Sequence, residues 1–237
     1  MMFPRPDFAP ETIRAMQDHA IRCFPQESCG VVIAGAYVPC VNLLADAPDR
    51  FRIDPAFYAE HEGAIEAVIH SHPHGPSCPT MADMAAQVAT AKNWGIVPFV
   101  DGVAKQPIFW GDFRLEEPLL ERSFIHGVTD CYSLIRAWFW QNRSVLLPEV
   151  PRNPAWWHGA EDLYRESFVK AGFHQIEAKD RQPGDVFIGH VLSRVPNHGG
   201  VLLEHGLGLH HLENRLSARE PLGPYINKNI THWVRHA

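Results

Sequence analysis

Two histidines one residue apart carry the first chemistry in this sequence: His70-Ser71-His72-Pro73. In an extended strand, residues i and i+2 point to the same side, so both imidazoles can face one ion. Asp83 follows in the first turn of the next predicted helix and could add a carboxylate oxygen. Two imidazoles and one carboxylate leave a fourth position for water, the arrangement of a catalytic rather than a structural zinc. Such an ion lowers the pKa of its water towards neutrality and polarises a carbonyl. A general base must then take the proton, and Glu27, beside a short apolar strand, is the candidate. Thr80 precedes Asp83 with the S/T-x-x-D/E spacing of a capped helix start. The cap alone is worth about 1 kcal/mol and is compatible with a place in the site. His74 and Cys78 lie near enough to be alternative ligands, although they read better as loop residues.

The second group is Cys131, His198 and His210. Cys131 opens an apolar predicted helix just after Thr129-Asp130, and a helix N-terminus favours negative charge and lowers a thiol pKa. His198 begins the strand-like run HGGVLLE, and His210 stands in GLGLHH beyond the turn Glu204-His205-Gly206. An antiparallel hairpin would bring the two imidazoles together. A thiol, a histidine base and a third polar group that orients the base make an activated nucleophile. His211 could replace His210, since alternation puts only one of them on the active face. A buried cysteine by itself is more often inert.

The elements that must hold these residues follow from pattern. A helix is predicted from Glu11 to Cys23, with Pro10 at its start. Cys29–Ala34 reads as a buried strand paired with Tyr37–Leu44 across Gly35-Ala36. Pro55–Gly63 reads as helix, Ala64–His70 as strand, and the alanine-rich run from Thr80 to Trp94 as a helix stopped by Gly95. Ile96–Val100 and Gln106–Trp110 read as strands. The charged segment around Gly111–Arg122 has no period, which puts a domain boundary near residue 115. Beyond it come a helix from Cys131 to about Gln141 and another from Glu161 to Ala171. Strands are predicted at Val186–Ile188, Gly200–Leu203, Leu207–Leu212 and Ile230–Val234. The pattern contains no internal repeat.

Composition narrows the possibilities. Of 237 residues 46% are hydrophobic, enough for two buried cores. A net charge of −6 with no Lys/Arg block leaves no footprint for nucleic acid. No apolar run reaches the about 18 residues of a membrane span. The N-terminus MMFPRPDFAPETIR does not read as a signal peptide. Five cysteines, an odd and irregular set, fit a reduced chain with a reactive thiol better than a disulfide framework.

The first group resembles the JAMM motif of the MPN+ metalloproteases: a distant Glu, H-[ST]-H-P, six residues (here His74–Pro79), then S-x-x-D, with Thr80 in place of the serine. The resemblance implies a cytidine-deaminase-like three-layer α/β domain over residues 1–112. It also implies zinc on His70, His72 and Asp83, Glu27 as base and Thr80 as a helper of the oxyanion. Asp130-Cys131, Pro183-Gly184-Asp185-Val186 and His198-Gly199-Gly200-Val201 resemble the NlpC family of papain-like cysteine peptidases. That resemblance implies an α+β domain over residues 118–237, with Cys131 as nucleophile, His198 as base, His210 as third residue and peptidoglycan stem peptides as substrate. Tyr132-Ser133 departs from the family's S-G after the cysteine, and residues 111–130 lack the tyrosine that helps many members bind substrate.

Both modules in one short chain resemble the tail assembly protein K family of lambdoid phages. Local phrases agree: His126-Gly127-Val128-Thr129-Asp130-Cys131, and Leu209-His210-His211-Leu212 with Arg215 and Ser217. The resemblance implies partners among other tail-tip proteins, assembly in the host cytoplasm and a place in the virion tail. A non-catalytic assembly factor built on peptidase folds is the competing expectation. A cellular isopeptidase using only the first module comes last, because it leaves the second half unused.

Overall fold

Helix α1, Pro10–Cys23, starts where Pro10 supplies a preset φ and buries Thr12, Met16 and Ala20 on one face. The computed structural model describes residues 5–44, 46–47, 49–159 and 161–237. The chain divides into two compact units, Met1–Phe113 and Arg114–Ala237.

In the first unit, β1 (Cys29–Ile33) and β2 (Ala36–Cys40) form an antiparallel hairpin. Its loop is Ala34-Gly35, with φ of 49° and 74°, the positive pair that matches the twist of two strands joined by two residues. The turn therefore falls one residue earlier than the sequence suggests, and β2 stops at Cys40. Helix α2 (Pro55–His61) is capped by Asp54, whose side chain accepts from the Ala56 N–H. Strand β3 (Ile65–His72) lies at the centre of the sheet, antiparallel to β1 and parallel to β4 (Asn93–Val100). Helix α3 (Met81–Thr90) makes the crossover between them. Two short strands, β5 (Val103–Ala104) and β6 (Ile108–Trp110), both pair with β4. Met16, Ala20, Val32, Ala67, Ile69 and Val97 form the core beneath α1.

The predicted helix over Thr80–Trp94 ends early. Ala91, at φ 49°, closes α3, and Asn93, Trp94 and Gly95 already belong to β4. Trp94 is buried in the sheet opposite Val68 and Trp110, and its indole N–H donates to Thr90 Oγ1 at 3.0 Å. Gly95 is a packing residue rather than a stop: a Cβ there would meet Phe109 at 2.7 Å and Ile69 at 2.9 Å.

The second unit opens on α4 (Cys131–Arg143), whose residues from Ser133 to Phe139 are all buried. The predicted helix over Glu161–Ala171 shrinks to α5, Leu163–Ser167. The chain then turns through Gly172, at φ 87°, into β7 (Phe173–Ile176), which the sequence pattern did not reveal. Strands β8 (Val186–Gly189), β9 (His198–Leu202), β10 (Leu207–His210) and β11 (Ala218–Pro221) follow. A short helix α6 (Pro224–Asn229) and β12 (Ile230–His236) end the unit. The strand order is β11-β10-β9-β8-β12-β7, with every pairing antiparallel. One face of the sheet packs Val186, Ile188, Val201, Leu209 and Val234 with Leu134, Ile135 and Phe139 of α4. Phe187, Leu202 and Trp233 form a separate cluster. Among the described residues no helix is long and apolar enough to cross a membrane.

Gly200 of β9 is a tight joint in this sheet. A Cβ there would lie 2.5 Å from the Leu209 carbonyl oxygen and 2.5 Å from Phe187 Cζ. Gly200→Ala is expected to destabilise the second unit by about 1–3 kcal/mol through overpacking. Urea unfolding of the full chain, followed by tryptophan fluorescence, measures it.

Candidate active sites

The last three residues of β3 carry the first site. His70 and His72 project from one side of the strand as the two-residue period requires, and their Nε2 atoms lie 3.0 Å apart. Asp83 arrives from the first turn of α3, with Oδ1 3.3 Å from His70 Nε2 and Oδ2 3.4 Å from His72 Nε2. All three ligand atoms lie within 4.8 Å of one another. A tetrahedral zinc with bonds of about 2.0–2.1 Å needs donors about 3.3 Å apart, which these separations match. His72 Nδ1 donates to the Pro76 carbonyl at 2.8 Å, so its lone pair is on Nε2, facing the other donors. His70 is stacked beneath Phe51, ring centroids 4.6 Å apart. The donor set fits a divalent cation of the zinc type.

Thr80 and Asp83 form a full capping box at the start of α3. The Thr80 N–H and its hydroxyl each donate to Asp83 Oδ2 at 2.7 Å. Thr80 thus anchors the carboxylate. The oxyanion contact implied by the family resemblance would require that hydroxyl to be released. Burial raises the Asp83 pKa, but His70, His72 and Thr80 outweigh it and hold the group well below the usual carboxylate range. Burial lowers the pKa of His70. It also opposes His72, where Asp83, the Pro76 carbonyl and Glu27 win and the pKa rises.

Glu27 sits just before β1, buried, with Oε1 3.9 Å from His72 Nε2. Burial pushes its carboxyl up to about 8, against the pull of His72 and with help from Asp83 and Asp49. Of the two alternative ligands, His74 lies against Phe24 rather than in the cluster, and Cys78 is half-buried and outside the three-residue group.

The second site is built at the N-terminus of α4. Asp130 is the N-cap, accepting from the Ser133 N–H at 3.0 Å and from the Gly127 N–H at 2.8 Å. Arg152 grips the same carboxylate with two nitrogens, at 3.0 Å and 2.6 Å, and is itself buried. Cys131 is the next residue. Tyr164 of α5 places its hydroxyl 3.2 Å from the Sγ. Cys131, Tyr164 and His198 line one cavity of about 630 Å³, walled by Trp156, Trp157 and Phe168.

The thiol does not behave as its helix position suggests. Burial raises its pKa and Asp130 adds to this, while the Tyr164 hydroxyl, the Gly199 N–H and Arg152 pull the other way without prevailing. Desolvation therefore outweighs these three contacts. His198 is depressed to about 3 by burial, with His210 and His211 adding to it. Both shifts favour the uncharged form of the group.

The His210 and His211 alternatives separate in space. His198 Nε2 lies 3.2 Å from His210 Nδ1. His211 turns away, its Nε2 donating to the Arg215 carbonyl at 3.0 Å and its ring edge-on to Phe124. Two groups at the site escaped the sequence reading. Arg152 gave no signal beyond a basic residue in a Pro/Trp-rich segment. The family resemblance points to a tyrosine upstream of Cys131, whereas Tyr164 comes from 33 residues downstream.

The two halves define a chain with a JAB-like metallopeptidase-type module followed by an NlpC/P60 module. Residues 9–110 match the family model for prokaryotic homologs of the JAB domain, and residues 110–235 match that of the NlpC/P60 family. Tail tip assembly protein K of Escherichia phage N15 is 35% identical over 236 residues, covering 95% of this chain and 94% of that one. The protein of the same name from Escherichia phage lambda is 35% identical over 162 residues, 68% of this chain and 77% of that one. A solved NLP/P60-family lipoprotein of Staphylococcus aureus is 15% identical, covers 94% of this chain and 61% of that one, and superposes with a TM-score of 0.36. This chain belongs to the tail tip assembly protein K family and carries domains of two peptidase families, the α/β then α+β order expected from its sequence.

Three outcomes are expected. Elemental analysis should find about one zinc per chain in the wild type and only background in His72→Ala, as loss of one of three protein ligands implies. Zinc uptake should weaken as pH falls, because protons compete for His72, whose pKa is raised. Tyr164→Phe should slow alkylation of Cys131 by iodoacetamide at neutral pH about fivefold, the equivalent of one hydrogen bond of about 1 kcal/mol to the thiolate. Mass spectrometry of the Cys131 peptide reads this rate.

Proposed function

We propose that the chain is a phage tail-tip protein with two hydrolytic sites. One is a zinc-dependent peptidase or isopeptidase site over residues 1–112, and the other a cysteine endopeptidase site for peptidoglycan stem peptides over 118–237. The observation that carries the first is the convergence of His70, His72 and Asp83 on a space with zinc-like spacing. When bound there, zinc would activate a water and polarise the scissile carbonyl. His70, His72 and Asp83 would hold the ion, Thr80 would keep Asp83 oriented, and Glu27 would hold the proton released by the water and return it to the leaving amine. Burial raises the Glu27 carboxyl to about 8 with no ion beside it, and the charge of a bound cation would favour the carboxylate that takes the proton.

The second site is supported by Cys131 and His198 in one cavity, with His210 hydrogen-bonded to His198. Cys131 Sγ attacks the amide carbon as His198 takes the thiol proton. His198 then gives that proton to the departing amine, leaving a thioester. Water, deprotonated by His198, attacks the thioester and frees the acid and the thiol. A thiol and an imidazole both shifted towards the uncharged form fit a base that acts during attack rather than a preformed ion pair. Tryptophan walls beside the nucleophile suit the apolar faces of a peptide or sugar. Other tail-tip proteins are the proposed partners, met in the host cytoplasm before the chain enters the virion tail.

The test is digestion of purified peptidoglycan and of tail-tip proteins with zinc and reductant. Cys131→Ala is expected to abolish release of cleaved stem peptides, with Glu27→Gln leaving it intact. Glu27→Gln is expected to abolish only the zinc-dependent cut. Wild type that cleaves neither substrate would exclude the hydrolase reading in favour of a non-catalytic assembly factor, as would normal tails in phage carrying both substitutions.

A further inference from the structure

Three side chains cross three neighbouring strands in one line. His198 on β9 meets His210 on β10, and His210 Nε2 lies 3.3 Å from Glu220 Oε1 on β11. The register explains the line. His210 stands directly opposite Gly200 on one side and Ala218 on the other. His198 lies two residues before Gly200 and Glu220 two after Ala218, so both are diagonal neighbours on the same face as His210. The two directly opposed positions hold small residues, and a Cβ at Gly200 would come within 2.8 Å of His210 Cβ. This spacing lets the His210 ring reach across to both diagonals.

The atoms give the line a direction. A carboxylate only accepts, so the His210 nitrogen facing Glu220, Nε2, carries the hydrogen. In a neutral imidazole the other nitrogen, Nδ1, then holds the lone pair and accepts from His198 Nε2–H. The lone pair of His198 is left on Nδ1. The second oxygen of Glu220 is held by Arg215 Nη2 at 3.3 Å.

We propose that Glu220 is a positioning residue that sets the tautomer of His210, and through it makes Nδ1 the basic atom of His198. The proposal rests on His198 acting as the base towards Cys131. As the thiol attacks, its proton moves to His198 Nδ1, and the imidazolium keeps its Nε2–H on His210 Nδ1. His210 stays neutral, Glu220 stays a carboxylate, and no proton travels down the line. The charged or titratable groups facing His210 are His198, His211, Arg215 and Glu220, and of these only Glu220 favours its protonation.

The experiment uses the full chain labelled with ¹⁵N-histidine. Long-range proton–nitrogen correlation reads each tautomer without substrate, with His198→Asn and His210→Gln assigning the signals. The wild type is expected to show both rings as Nε2–H. Glu220→Leu should turn His210 into a mixture of tautomers and slow Cys131 alkylation at neutral pH on the order of tenfold, by analogy with the larger loss when a wholly buried triad carboxylate is replaced. Glu220→Gln, which keeps an acceptor oxygen, should recover most of both. A wild-type His210 protonated on Nδ1 overturns the proposal, as does a Glu220→Leu protein with unchanged tautomers and alkylation rate. Should Glu220→Leu fail to fold, the wild-type tautomers and Glu220→Gln still decide. Tautomers as expected in a wild type that digests no peptidoglycan would reject the cleavage reading alone. Unchanged tautomers in Glu220→Leu, with digestion that depends on Cys131, would reject the Glu220 role alone.

Discussion

The first N–H groups of a helix have no partners inside the helix and must find acceptors elsewhere. In both halves of this chain the residues that satisfy them also build the candidate site. At α3 the capping box joins Thr80 to Asp83, and the same Asp83 carboxylate faces both histidines of β3. At α4 Asp130 caps the helix, and Cys131 is the next residue. Each helix start is therefore fixed in place by the carboxylate beside its reactive group. The carboxylates themselves are buried and must be compensated: Asp83 by Thr80 and two imidazoles, Asp130 by Arg152 and backbone N–H groups.

Burial then shifts the buried groups that lack such compensation. The Glu27 carboxyl is raised to about 8 because its carboxylate would be poorly solvated. Cys131 is raised and His198 depressed to about 3 for the same reason. Simple rules about helix termini and nearby charges give the opposite expectation for the thiol. They count the favourable interactions of the charged form and leave out the cost of removing it from water. Glu27, Cys131 and His198 are thus each shifted towards the neutral form.

Where the sequence reading missed, a long-range contact outweighed a local preference. The alanine-rich run before Trp94 reads as one helix to Gly95, yet burying Trp94 between Val68 and Trp110 draws the last residues into β4. Gly95 resembles a stop signal but is small because Phe109 and Ile69 press on it. Strand β11, with alternating half-exposed residues and Pro221 at its end, carries little apolar pattern, so nothing in the sequence marks Glu220. Tyr164 lies 33 residues after Cys131, on a five-residue helix without a buried stripe.

What the sequence alone determined are the relations that depend on fixed local geometry. The two-residue period of a strand puts His70 and His72 on one side, and the three-residue step of a helix start joins Thr80 to Asp83. The order of elements around Cys131, His198 and His210 was also readable, because a hairpin brings neighbouring strands together. Only the tertiary structure decided which of His210 and His211 faces His198. Strand register did so, and a slip of one residue would have exchanged them. It also decided that Arg152, Tyr164 and Glu220 join the second site, since each arrives across a chain separation that no local period spans. The protonation states were likewise beyond the sequence, because desolvation depends on everything packed around a group and not on its neighbours along the chain.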